Sequence, residues 1–404
     1  MQPRTDLAPA VIVPDSLTAL GLVRSLAPRG VACTVAAWNA LGPARYSRHA
    51  RVVTCPPPSA GRAFLDAVMT IGRTFATPPV LFVTDESSML LVQRGRDELA
   101  QHFRIALSPV EQLARWVSKP RLYEASAAAG VATPQTWVLT ATHWPTDLSY
   151  PIVVKPAQRV IWVGDYALRS FRHDFGCKAL LAPDVAHARA IVTRAHELGY
   201  EMMLQRPVPG EVTDLLTAGV FVGRDGNRAL FTARKLAQVP RDFGDGSVVE
   251  GLPLPELAAP VWRLVEQAGF TGIADLEFKR DAADGQLKLL DANPRPWLWI
   301  ELATRCGINL PYLLYCEATE QRAEAAPAQL AASVKWCSAR ALVRTLLESG
   351  ATNRGAALSG ALHAWRDADM DGTFAPDDLL WRMFLQPAFW RDALRAARHQ
   401  LPEM

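Results

Sequence analysis

The segment from Gly272 to Arg295 constrains the fold more than any other. Two β-like runs, Gly272 to Lys279 and Leu287 to Asp291, flank an Asp284-Gly285 pair, the dipeptide chemistry of a tight reversal between antiparallel strands. The pattern predicts a hairpin that sets Glu277 and Asp291 side by side. Asn293 and Arg295 follow Asp291 at steps of two, so an extended backbone points all three to one face. Two carboxylates and an amide oxygen in one patch suit Mg²⁺, a hard cation that prefers oxygen and keeps positions open for phosphate. A guanidinium beside them can grip phosphate or carboxylate through two parallel hydrogen bonds.

Around this hairpin the chain reads as alternating strands and helices. Ala10 to Pro14 is a short apolar strand, Asp15-Ser16 precedes an amphipathic helix from Leu17 to Ala27, and Val31 to Ala37 and Val80 to Val83 follow as strands. That order predicts a small parallel α/β domain over residues 1–110. The first strand is not followed by Gly-X-Gly-X-X-Gly, which removes the main support for dinucleotide binding. One helix is expected from Val110 through Ala129, then a short β run from Pro151 to Pro156 whose apolar residues lead to Lys155. A hairpin or loop from Ala157 to Lys178, a helix from Val185 to Leu198, strands from Leu215 to Ala237 and a helix from Leu257 to Ala268 complete a second unit, residues 111–325. Residues 326–404 read as mostly helical.

Composition narrows the function classes. In 404 residues, 43 Lys and Arg against 40 Asp and Glu leave a net charge of +3, too little for affinity built on phosphate neutralisation along a polynucleotide. No stretch reaches the length of a membrane span and the amino terminus lacks a signal-peptide pattern, so the expected location is the cytoplasm. Six scattered cysteines without a Cys-X-X-Cys pair support neither disulfides nor a thiolate zinc site.

Asp291-Ala292-Asn293-Pro294-Arg295-Pro296-Trp297, with Leu276-Glu277-Phe278-Lys279 before it, resembles the metal-binding end of the ATP-grasp superfamily. The similarity is to its carboxylate-amine ligase branch, of the D-aspartate ligase and carbamoyl-phosphate-synthase-like type. Further marks stand in the family's order: Ser118-Lys119, Gly130 to Pro134, Val154-Lys155-Pro156, Leu204-Gln205 with Pro209-Gly210, and Arg234-Lys235. The resemblance implies an ATP-grasp fold, two α+β subdomains clasping ATP, preceded by the small parallel domain. It implies Glu277, Asp291 and Asn293 as ligands of Mg²⁺, with Mn²⁺ also admitted, and Lys119 and Lys155 as contacts to the nucleotide phosphates. Gln205, Arg206 and Val208 lie in the implied adenine hinge, Glu211 or Asp214 is implied at the ribose, and Lys235 and Arg295 at the γ-phosphate and an acyl phosphate. The implied reaction joins a small-molecule carboxylate to an amine with ATP, with no nucleic-acid or membrane partner; a homodimer is admitted. A phosphotransferase, a thiol ligase and a nucleotide-binding regulator without chemistry are the rival readings. The chain departs from the family pattern in three places. Asp291 stands where Glu is usual, Arg206 where an acid is common, and the 157–178 loop carries Trp162, Tyr166 and Phe171 in place of a glycine-rich run.

One further motif stands apart. Asp367, Asp369, Asp371 and Gly372, with Asp378 at the twelfth position, have the spacing of a calcium loop. The short Asp378 and the lack of a partner loop favour an acidic turn.

Overall fold

A computed structural model of the chain describes residues 4–375 except 39–41, 140–143, 324–326, 328–329 and 349–353. The amino-terminal part is a five-stranded parallel sheet of β1 (Ala10–Val13), β2 (Cys33–Ala37), β3 (Ala50–Thr54), β4 (Val80–Val83) and β5 (Arg104–Ile105), in the order β3-β2-β1-β4-β5. Its helices are α1 (Leu17–Leu26), α2 (Arg62–Gly72), α3 (Glu86–Arg94) and α4 (Arg96–Ala100). Side-chain caps start two of them: the Ser16 hydroxyl accepts from the Ala19 N–H at 3.1 Å and the Asp85 carboxylate from the Ser88 N–H at 2.7 Å. β1 and β4 are buried along their whole length, as central strands covered on both faces must be.

The single helix expected from Val110 to Ala129 is two, α5 (Val110–Val117) and α6 (Lys119–Ala128). Ser118 between them is extended, and Pro120, which has no N–H to give and suits a first turn, opens the second helix. Lys119 thereby becomes the first residue of a helix instead of a side chain on the surface of one.

A four-stranded antiparallel sheet follows, in the order β10-β7-β11-β6, from β6 (Thr136–Val138), β7 (Ile152–Pro156), β10 (Leu180–Ala182) and β11 (Met202–Gln205). A separate hairpin of β8 (Val160–Trp162) and β9 (Leu168–Ser170) projects between β7 and β10. Short α7 (Phe171–Phe175) and longer α8 (Val185–Glu197) belong to this layer, where Phe171 is fully buried.

The largest sheet runs β16-β15-β12-β13-β14-β17-β18, from β12 (Leu215–Val222), β13 (Arg228–Val239), β14 (Asp245–Gly251), β15 (Gly272–Arg280), β16 (Leu287–Asn293), β17 (Val334–Cys337) and β18 (Met370–Asp371). With it go α9 (Ala258–Ala268), α10 (Ile300–Arg305), α11 (Leu310–Thr319), α12 (Ala339–Glu348) and α13 (Arg354–Arg366). The carboxy-terminal stretch, read as mostly helical, thus also supplies two outer strands of this sheet. One apolar core joins the first sheet to the third, with Ile12 and Leu22 in the same cluster as Trp297, Ile300 and Leu314. Among the described residues no helix is long and apolar enough to cross a membrane.

Candidate active site

The hairpin that the sequence announces is β15-β16, and its register sets Glu277 directly opposite Asp291 and Asp275 opposite Asn293. A register shift just after Glu277 loosens the pleat there. Arg295 departs from the expected extended face. Its N–H donates to the Asn293 carbonyl at 2.8 Å, so the chain turns, and its guanidinium donates to the Pro296 carbonyl at 2.9 Å and the Thr84 carbonyl at 3.4 Å. It still meets the same group of charges, because Arg159, Glu86, Asp85 and Asp275 are its electrostatic neighbours.

The expected mutual repulsion of Glu277 and Asp291 is offset by cations from four elements. Lys235 of β13 donates to Glu277 at 3.2 Å; Lys119, at the start of α6, pairs with Asp291 at 3.5 Å; Arg159, in the turn after β7, pairs with the other Asp291 oxygen at 3.3 Å. Lys155 of β7 donates to the Tyr123 hydroxyl at 3.0 Å. Lys119, Lys155 and Lys235 are only 5%, 7% and 2% exposed. Ammonium groups so far out of water cost folding energy unless an anion meets them. Burial, with Arg159 adding to it, pushes the Lys155 ammonium down to about 8, against the pull of Asp291 and Glu277. Burial alone would lower Lys235 too, but Glu277 and Asp275 outweigh it and hold that ammonium above its usual range. Burial would raise the Asp291 carboxyl; Arg159, Lys119 and Lys155 overcome this and hold it well below the usual carboxylate range.

Three contributors to this cluster are not singled out by the sequence pattern. Asp275 is buried beside the Thr217 hydroxyl and accepts from the Asn293 amide nitrogen at 3.3 Å, an arrangement that turns the Asn293 oxygen outward. Burial first, then Glu277, pushes its carboxyl above the usual carboxylate range. Period-two alternation back from Glu277 points to it. Arg159 and Glu86 pair at 3.2 Å, and Arg159 also donates to the outward Asn293 oxygen at 2.6 Å. Their only sequence signals are a charged residue in a loop weighed for its glycines and an acid in the first turn of a helix.

The hinge residues divide. Gln205 is buried and spends its amide on the hydroxyls of Tyr123 and Thr136, at 3.0 and 2.8 Å, so its side chain is structural. The Arg206 N–H donates to the Gln135 carbonyl and the Val208 carbonyl accepts from Lys279 at 2.9 Å. Among the described residues, this leaves the Arg206 carbonyl and the Val208 N–H without a partner, one acceptor and one donor on either side of Pro207. Glu211 is exposed and exchanges capping bonds with Asp214 at the start of a short 3₁₀ turn, where both acids act on Lys279.

The hairpin of β8 and β9, which begins directly after Arg159, is here called the lid. Trp162 lies under the Arg94 guanidinium, 4.4 Å from ring centre to carbon, and Tyr166 lies near Arg62 and Arg94 at 5.5 and 5.7 Å. The lid is thus pinned to the amino-terminal domain by aromatic rings on arginines. Against it, a groove of about 410 Å³ opens between α3 and α5, walled by Met89, Leu90, Leu113 and Val117.

Two α+β layers meeting over buried lysines and paired strand-borne acids define the ATP-grasp fold, and comparison with known proteins agrees. The family model described as "ATP-grasp in the biosynthetic pathway with Ter operon" matches residues 229–339, the stretch that carries Lys235, Glu277, Asp291, Asn293 and Arg295. The chain is 22% identical to a D-aspartate ligase of Enterococcus faecium over 317 residues, 74% of each protein. By structure it resembles the ADP complex of an N5-carboxyaminoimidazole ribonucleotide synthetase, with a TM-score of 0.63 and 15% identity over 92% of this chain and 99% of that one. It also resembles the pyruvate carboxylase of Rhizobium etli, with a TM-score of 0.61 and 14% identity over 81% of this chain; there it spans only 30% of the longer enzyme.

Proposed function

We propose that this protein is an ATP-dependent ligase that joins a carboxylate to an amine through an acyl phosphate. The observation that carries the reading is the cluster of Lys119, Lys155, Arg159, Lys235 and Arg295 around the facing Glu277 and Asp291. Five cations converge on the facing pair Glu277 and Asp291 and outnumber it, and a polyphosphate bound there meets cations on several sides. The hinge's free donor and acceptor match the edge of an adenine base.

Among the described residues no three acidic, histidine or cysteine side chains gather as a metal cluster. A metal here rests on the two carboxylates and the outward Asn293 oxygen, a hard donor set that fits Mg²⁺ or Mn²⁺. Glu277, Asp291 and Asn293 would hold it, and when bound it draws charge from the phosphate oxygens. Lys119 and Lys155 bind the phosphates from the α6 and β7 sides. Lys235 and Arg295 steady the terminal phosphoryl group as a carboxylate oxygen attacks it and ADP leaves. Arg295 then stabilises the tetrahedral oxyanion as the amine attacks the acyl carbon, loses a proton and expels phosphate. The lid keeps water from the acyl phosphate.

The test is ADP release with pooled carboxylates and amines, with hydroxylamine added to trap the acyl phosphate. The expected result is ADP formation that needs a carboxylate, with a hydroxamate in proportion. ADP release without any hydroxamate or amide product would remove the acyl phosphate from the mechanism.

A further inference from the structure

Arg159 is placed unlike the other cations of the site. It stands at the foot of the lid, and its three nitrogens face three different partners: Glu86 of the amino-terminal domain at 3.2 Å, Asp291 at 3.3 Å and the Asn293 oxygen at 2.6 Å. Two of the three residues suited to a metal therefore each give an oxygen to one guanidinium. A guanidinium and a divalent cation cannot share them, since the two repel and Mg²⁺ requires its oxygens at about 2.0 to 2.1 Å. Arg159 must leave Asp291 and Asn293 for a metal to bind.

Its surroundings limit where it goes. Lys119, Lys155 and Arg295 crowd the cluster with like charge, the neighbouring Asp245 is already paired with Arg172 and Lys178, and Glu86 is the one residue of the three that Arg159 contacts that is not a proposed metal ligand. The group that arrives with the metal is the polyphosphate. The lid, for its part, has Gly164 as the only glycine between Ala157 and Leu168, so it offers few of the closely spaced N–H groups with which a glycine-rich turn cradles phosphate. An arginine at the foot of the lid meets the same need with one planar, doubly donating head.

Accepting the nucleotide reading above, we propose that Arg159 is a lid-borne ligand of the terminal phosphate that rests on the metal-binding oxygens until the nucleotide and its metal arrive. The residue then serves twice: it bridges Glu86, Asp291 and Asn293 when no metal is bound, and it ties lid closure to the presence of a third phosphate.

The proposal predicts effects of opposite sign in one variant. Mn²⁺ alone, titrated by electron paramagnetic resonance without nucleotide, should bind Arg159→Ala at least about fivefold more tightly than wild type, because its competitor is gone. A non-hydrolysable ATP analogue with Mg²⁺, followed by calorimetry, should bind the same variant about tenfold or more weakly, while ADP loses much less. Arg159→Lys, which keeps the charge on a shorter reach, should fall between; it also carries the test if Arg159→Ala does not show a cooperative melt. Unchanged or weaker Mn²⁺ binding in the variants would overturn the resting position. Equal losses for ADP and the ATP analogue would overturn the contact to the terminal phosphate. If wild type binds neither nucleotide, the nucleotide reading itself fails, and that outcome is visible without any variant.

Discussion

On the proposed nucleotide reading, the buried charge of Lys155 makes binding depend on pH. With its ammonium pushed down to about 8, the free protein sheds this proton as pH rises past 8, whereas a bound polyphosphate keeps the lysine charged. Below pH 8 both states are protonated and affinity is flat. Above it, binding must take up a proton, so nucleotide affinity should fall by up to about tenfold per pH unit. Calorimetry in two buffers of different ionisation enthalpy measures that uptake, and Lys155→Ala should abolish the slope while weakening binding throughout. Asp291 carries a second prediction. Its partners Lys119 and Arg159 lose their anion in Asp291→Asn, so the variant should be less stable by about 2 kcal/mol or more in the absence of metal, and should also lose turnover by about two orders of magnitude. From the sequence alone the two carboxylates look mutually repulsive, which would make the same change stabilising; melting curves without metal decide. What alternation along a strand can show, it showed here: the facing of Glu277 and Asp291 is readable from a turn dipeptide and a step of two. Which cations come to meet them is not, because Lys119, Arg159 and Lys235 converge from three segments whose approach is set by packing.

At the scale of elements, most strands and helices are readable from apolar runs and turn residues, and the departures have local causes. The break at Ser118 follows from one proline in an otherwise continuous helical pattern. The lid is read as a hairpin or loop that departs from a glycine-rich phosphate flap, and the aromatic residues that mark the departure pack against arginines of the amino-terminal domain. Each ring-on-arginine contact is worth about 0.5 to 1 kcal/mol at a partly exposed site. Trp162→Ala or Arg94→Ala should therefore speed release of a fluorescent nucleotide by about two- to fivefold in stopped flow, with little change in melting temperature. Gly61 gives a sharper probe. It has a positive φ of 60°, and a methyl group there would meet the Tyr166 carbonyl oxygen at 2.4 Å. Gly61→Ala should wedge the lid open and accelerate release further.

For the whole molecule, the acidic segment near the carboxyl end fastens parts together. The Asp371 carboxylate accepts from the N–H groups of Ala339, Thr373 and Phe374 and from the Trp365 indole, and Asp369 accepts from the Lys335 N–H. Gly372 is a glycine because a Cβ would lie 2.4 Å from the Trp336 ring. Asp377 and Asp378 lie outside the described residues. With these carboxylates turned to backbone donors, micromolar calcium should leave the melting temperature unchanged, as a thermal scan with and without calcium would show. Spacing gives the outline of a calcium loop, but spacing cannot report which way an oxygen faces.

Arg24, near the end of α1, sits on the last turn of this same segment. It donates to the carbonyls of Asp371, Gly372 and Thr373 at 3.4, 3.2 and 3.3 Å and pairs with Glu301 at 3.3 Å. During synthesis on the ribosome, the first helix is complete several hundred residues before its partner exists. Until residues 334–371 emerge, β14 has no neighbour on its outer side, and a nascent chain carries a bare strand edge of the kind that recruits chaperones or pairs with other chains. A ribosome that pauses late in this message would therefore hold a protein whose lysines and paired acids are already in the chain but whose sheet still has a bare edge.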